Sequence, residues 1–121
     1  MKSYIVQRNP LRIPTKDAKT ILEHFGIPST NTSDFSFAYM IAPPGWSEPF
    51  QKPEFNELTF IIRGKKQIEI NDEKIILHQG ESILVKKGTR VRYSNPFDEP
   101  VEYVSVCIPA FSIENVNRES D

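Results

Sequence analysis

The stretch Gly45-Trp46-Ser47-Glu48-Pro49-Phe50-Gln51-Lys52-Pro53-Glu54-Phe55-Asn56-Glu57-Leu58-Thr59-Phe60-Ile61-Ile62-Arg63-Gly64, with Gly80 to Asn95 downstream, decides the fold. Its first half is crowded by Pro49 and Pro53, just after Pro43 and Pro44. Proline removes a backbone donor and clashes with the preceding helical turn, so this half is neither a helix nor a central strand. Leu58 to Ile62 is a short apolar run rich in β-formers. Four of the chain's five glycines are Gly45, Gly64, Gly80 and Gly88, each next to such a run. Glycine at those points supplies the tight turns between short strands.

Working outward, the pattern stays β. Phe35, Phe37, Tyr39 and Ile41 alternate with Ser36, Ala38 and Met40, which predicts a strand with its aromatic side buried. Gln67 to Ile70, the turn pair Asn71-Asp72 and Ile75-Ile76-Leu77 predict a hairpin. Ser82 to Val85, Val91 to Tyr93 and Val101 to Ile108 add further strands. Many short strands split by Gly and Pro give an all-β sandwich or barrel. One short amphipathic helix is expected before it. Thr15 is its N-cap, Asp17 its first-turn anion, Ala18, Ile21, Leu22 and Phe25 its apolar stripe, and Gly26 its stop. The expected layout is an N-terminal strand (Tyr4 to Arg8) and helix over residues 1–34, a barrel over 35–111 and a loosely packed polar tail over 112–121.

The bulk numbers narrow the function classes. With 121 residues, 38% hydrophobic, the chain makes one ordinary domain. Fifteen Lys and Arg against sixteen Asp and Glu leave a net charge of -1, so nothing attracts nucleic acid or an anionic membrane. The small basic cluster Lys86, Lys87, Arg90 and Arg92 reads as solvated strand and turn positions. A single cysteine, Cys107, excludes an internal disulfide, and no apolar run approaches a membrane span or a signal peptide. A cytoplasmic location is the expectation. Cys107 reads as a buried small hydrophobe.

Glycine spacing points to a family. Gly45, Gln51, Pro53, Glu57 and Gly64 stand at the intervals of a Gly, five residues, His-x-His, three residues, Glu, six residues, Gly motif. Gly80, Lys86, Gly88, Val91 and Asn95 stand at those of a Gly, five residues, Pro-x-Gly, two residues, His, three residues, Asn motif. Over this half of the chain the sequence resembles the cupin superfamily. The resemblance implies a cupin-type double-stranded β-helix, a jelly-roll barrel. It also implies a metal held by three His and a Glu. Only Glu57 matches that set, because Gln51, Pro53 and Val91 stand where the histidines would be. Gln51 is a weak neutral donor, and Pro53 and Val91 offer none. His24 and His78 read as surface residues, and Glu48 and Glu54 are the only groups that could join Glu57 in an oxygen site. No metal ligand and no other cofactor is therefore assigned.

Strand alternation then names the interior. If Glu57 faces inward, so does Thr59; if Val91 replaces an inward histidine, Tyr93 is inward too, with Arg90 and Arg92 outside. The expected ligand-binding set is Gln51, Thr59, Val91, Tyr39 and Trp46, with Phe35 a further aromatic wall. Trp46 is either a lid or a surface anchor. Glu57 and Tyr93 are either a general base and acid or a hydrogen-bonded pair without chemistry. Three functions stay open: binding of a small polar metabolite such as a sugar or organic acid, isomerase, epimerase or lyase chemistry on Glu57 and Tyr93, and a structural role with a filled barrel. The histidine-poor cupin of ethanolamine-utilisation operons is similar in lacking the ligand set. Because small cupins commonly pair, a homodimer by sheet extension through Tyr4 to Arg8 is expected.

Overall fold

The structure, a computed structural model, describes residues 3–120. Nine strands and two one-turn helices run in the order β1 (Leu11–Arg12), β2 (Thr20–Phe25), α1 (Ile27–Thr30), β3 (Ser36–Ala42), β4 (Asn56–Arg63), β5 (Lys65–Ile70), β6 (Glu73–His78), β7 (Ser82–Val85), β8 (Val91–Ser94), β9 (Val101–Ile108) and α2 (Ile113–Val116). They form a six-stranded sheet, β1-β2-β3-β9-β4-β7, and a three-stranded sheet, β6-β5-β8, with every pairing antiparallel. Of the two all-β layouts that the strand pattern leaves open, this is the barrel that the glycine spacing implies.

The turns lie where the sequence puts them. Asn71 and Asp72 close the β5–β6 hairpin with both φ values positive, at 49° and 67°, as a type I′ turn requires. Gly64 has φ of 86°, and a Cβ there would lie 2.6 Å from the Pro100 carbonyl oxygen. No other residue fits that joint between β4 and β5. Asn95 is fully buried and ties the loops at one end of the barrel together. Its amide nitrogen donates to the carbonyls of Ala42, Pro43 and Glu99, and its carbonyl oxygen accepts from the Phe97 N–H.

The expected N-terminal helix does not form. Residues 11–25 are a β-hairpin instead. Ala18 sits in its turn at φ 64°, the Lys19 N–H bonds to Asp17 Oδ1, and Thr15 Oγ1 donates to the Lys19 carbonyl. β2 pairs along β3 from Thr20↔Ile41 to Phe25↔Phe37, so this hairpin extends the barrel's own sheet. The run Ile21-Leu22 suits either period, and the open edge of β3 decides for the strand. The only helix nearby is the single turn of α1, after Gly26. The expected strand Tyr4 to Arg8 is also absent, and Tyr4, Ile5 and Val6 are exposed.

The tail packs closely rather than loosely. Ser112 and Asn115 form a reciprocal capping box on α2, and Val116 is buried against Phe55 and Cys107. Backbone bonds from Lys52 to Asn117, Glu54 to Asn115 and Glu119 to Phe50 fasten the tail to the proline-rich segment. The main core (Ala42, Trp46, Ile61, Ile68, Leu77, Val85, Val91, Val101) fills one end of the barrel, and the space beyond Tyr93 and Tyr103 is open.

Candidate functional site

The open end is a cavity of about 410 Å³. Its walls follow from strand parity. Ser36, Ala38 and Met40 of β3, Glu57 of β4, Lys66 of β5, Tyr93 of β8 and Tyr103, Ser105 and Cys107 of β9 all turn inward. Lys19 arrives from the β1–β2 hairpin, Glu48 and Gln51 from the proline-rich loop, and Arg118 from the tail. Ile27 and Pro28 of α1 and Phe111 to Glu114 line the same space.

The expected set is only partly brought together. Glu57, Tyr93 and Gln51 line the cavity. Tyr39 does not, because the aromatic side of β3 is its outer face. The Tyr39 hydroxyl donates to Glu102 Oε2 at 2.5 Å, and Phe37 packs edge-on to His24, now a strand residue. Small Ser36 and Ala38 face inward, which is what leaves room for the cavity. Phe35 is exposed and packs near Phe25. Thr59 and Val91 point inward as parity predicts, but they are buried in packed protein and line no space. Val91 is bridged by both backbone bonds to Gln51, so the two motif positions do meet. Trp46 is neither lid nor surface anchor. It is buried in the core, and its indole N–H donates to Asp17 Oδ2 at 2.7 Å. That bond pins the hairpin turn carrying Lys19, whose ammonium lies 4.3 Å from the Trp46 ring centroid.

Two lysines were missed from the sequence. Lys66 is 2% exposed, and its ammonium lies 3.4 Å from the Tyr103 ring centroid and 4.5 Å from that of Tyr93. Among the described residues no carboxylate lies within 4.0 Å of it and it makes no hydrogen bond. The signal was available: Lys66 shares parity with Ile68, which is fully buried. Hydrophobicity alone assigns such a lysine to the surface. Lys19 was hidden by the helix expectation.

Electrostatics separates the two amines. Burial, followed by the positive charge of Lys19, pushes Lys66 down to about 7. Burial also opposes the Lys19 charge, but the Tyr103 oxygen and the Glu48 and Glu57 carboxylates outweigh it and hold its pKa above the usual lysine value. Burial raises Glu48, against the pull of Lys19 and of Arg118, whose Nη2 is 3.6 Å from the Glu48 carboxylate. Burial also raises Tyr93 well above the usual tyrosine value and Tyr103 to about 12, so both keep their protons. Neither hydroxyl has a partner at hydrogen-bonding geometry, although Glu57 stands beside the first and Lys19 beside the second. Glu57 instead accepts from Ser105 Oγ at 2.5 Å.

The donor set does not fit a transition metal. Gln51 Oε1 accepts from Arg118 Nε at 3.2 Å, Pro53 and Val91 have no donor, and two lysine side chains share the cavity with Glu57. Among the described residues no three His, Cys, Asp or Glu side chains converge, so neither Glu48 nor Glu54 completes a site with Glu57. Burial raises the Cys107 thiol, which leaves it a weak nucleophile. In the basic cluster, Arg90 and Arg92 are taken up by Glu119 and Glu69 and stack near the Phe50 ring. Among the described residues no helix is long and apolar enough to cross a membrane.

Comparison with known proteins agrees with this architecture. The chain is 42% identical over 108 residues to a Myxococcus xanthus protein named endoribonuclease YbeY, a match covering 89% of the chain but 37% of that relative. In fold it is similar to a histidine-to-glutamine variant of Streptomyces PAC13 solved with uridine, at TM-score 0.76 and 15% identity over 99% of this chain and 92% of that one. It is also similar to the ethanolamine utilization protein EutQ of Salmonella typhimurium, at TM-score 0.61 and 16% identity over 77% and 71% of the two chains. The profile of the cupin domain matches residues 38–107, and the chain belongs to the cupin-domain family.

Proposed function

We propose that the barrel binds a small organic acid without the three-histidine metal site of its family. The observation that carries this reading is the pair of buried, unpartnered hydroxyls, Tyr93 and Tyr103, on a 410 Å³ cavity that also holds two lysine ammonium groups. Buried hydroxyls without partners are costly, and a bound molecule with acceptor oxygens would satisfy them. A carboxylate would meet Lys19, which stays charged, and apolar walls such as Ile21, Met40 and Phe55 would cover the rest. A cavity of this volume does not suit a barrel filled by its own side chains. That Streptomyces PAC13 was solved with a small polar molecule supports the barrel as a compartment for one. The ribonuclease activity in the name of the Myxococcus relative has no counterpart among these side chains. A reducing cytoplasm suits the free, buried Cys107.

The test is calorimetric titration with 2-hydroxy-4-methylpentanoate, glucuronate and glucose. The acids should bind and glucose should not. Lys19→Met should weaken the acids roughly tenfold or more, the scale of one charge-assisted hydrogen bond. Equal binding of glucose, or no binding of either acid, defeats the proposal.

A further inference from the structure

We infer that Lys66 is a nucleophile that forms an imine with a small oxo acid held in this cavity, an inference that rests on the organic-acid reading above. Proton transfer between Glu57 and Tyr93 does not use Lys66, and the two tyrosine rings beside it are its closest partners. A buried lysine with no ion pair is expensive in a core that a leucine would fill. Its placement is specific: the amine stands between the rings of Tyr93 and Tyr103, on the cavity wall, in the same space as Glu57. Desolvation and a second cation are the two means by which a lysine becomes a neutral nucleophile, and Lys66 has both.

The rest of the cavity complements that amine. Lys66 and Lys19 lie 3.4 Å and 5.6 Å from the same Tyr103 ring centroid and line the same cavity, so a molecule bound there has both amines on its walls. The charged Lys19 holds the carboxylate. The Tyr93 hydroxyl donates a hydrogen bond to the carbonyl oxygen. The Lys66 lone pair then attacks the carbonyl carbon, and the C=O π pair moves to oxygen. The Glu57 carboxylate takes a proton from nitrogen and returns it to that oxygen. Loss of the oxygen with both amine hydrogens leaves C=N and one water, with no oxidant or reductant consumed. The resulting imine weakens bonds next to the former carbonyl carbon, so the substrate class is a 2-oxo or 3-oxo acid.

Titration sets the pH dependence. The groups facing Lys66 are Lys19 from the β1–β2 hairpin, Glu48 from the proline-rich loop, Glu57 from β4, Tyr93 from β8, and Tyr103 and Cys107 from β9. The amine attacks only when unprotonated, so imine formation rises as pH climbs through about 7 and levels off above it. An ordinary lysine would still be rising near pH ~10.

Sodium borohydride trapping of the intact protein with pyruvate, 2-oxobutanoate or 4-methyl-2-oxopentanoate tests the inference, alongside calorimetry with 2-hydroxy-4-methylpentanoate. Peptide mass mapping should find the probe's mass, less one oxygen, on Lys66. Labelling should exceed that of the exposed Lys65 at least tenfold and fall with added hydroxy acid. Lys66→Arg should abolish it. Should the hydroxy acid bind while borohydride leaves Lys66 unmodified with all three oxo acids, the nucleophile is refuted and the binding site stands. Should neither bind nor label, both readings fall together. Labelling spread evenly over surface lysines also refutes the inference.

Discussion

Single residues show most clearly what a sequence discloses. Glu57 and Tyr93 were placed on the inner face by motif position and alternation together, and both line the cavity. Asn95 was located by spacing, and its burial and four hydrogen bonds give the physical reason for an amide there. Lys66 was not located, although the same alternation puts it beside Ile68 on the inward face. Hydrophobicity assigns a lysine to the surface because burying a charge is costly, and that rule fails where a site has reason to bear the cost. The same site accounts for Thr59 and Val91, whose direction was right and whose contact with the cavity was not. Alternation fixes which way a side chain points, whereas depth along the strand decides whether it meets open space or packed core.

Among the elements, the strands from β3 to β9 were legible and the first hairpin was not. Strand periodicity, an Asn-Asp turn and glycines at obligatory joints agree with one another, so each supports the rest. Residues 15–26 satisfied a helical template over only about three turns, which is too short for propensity to outweigh an open sheet edge. Ala18 discriminates between the two conformations. In a helix, Ala18→Gly would cost about 1 kcal/mol. In the hairpin, Ala18 has φ of 64°, and glycine relieves that strain at some loss of chain entropy, for a net gain of about 0.5–1 kcal/mol. Urea unfolding should therefore show Ala18→Gly more stable than the parent chain. A clear loss of stability would contradict the hairpin. The tail is the second element that sequence concealed. Backbone bonds to residues 50–54, which leave no trace in residue type, hold it beside the side-chain bonds of Asn117 and Arg118.

For the whole molecule, the described residues offer a different apolar surface from the N-terminal segment expected to pair. The segment Tyr4 to Arg8 adds no strand, but the outer face of β4, β7 and β9 exposes Leu58, Phe60, Leu84 and Ile108 side by side. We propose that a second copy of the chain covers this face, giving a homodimer. Light scattering should return twice the chain mass for the parent and the chain mass for Phe60→Glu, and a monomeric parent would refute the dimer. In the interior, a barrel with one of its family's four metal ligands holds a buried amine on an open cavity. The most direct measurement is an NMR titration of the lysine Cε–Hε groups from about pH 5 to 11, with Lys66→Met for assignment. One lysine, absent from the variant, should titrate with a midpoint of about 7 while the exposed lysines titrate near ~10.4. If the Lys66 signal titrates with the exposed lysines, its amine is in water and the account of the cavity is wrong.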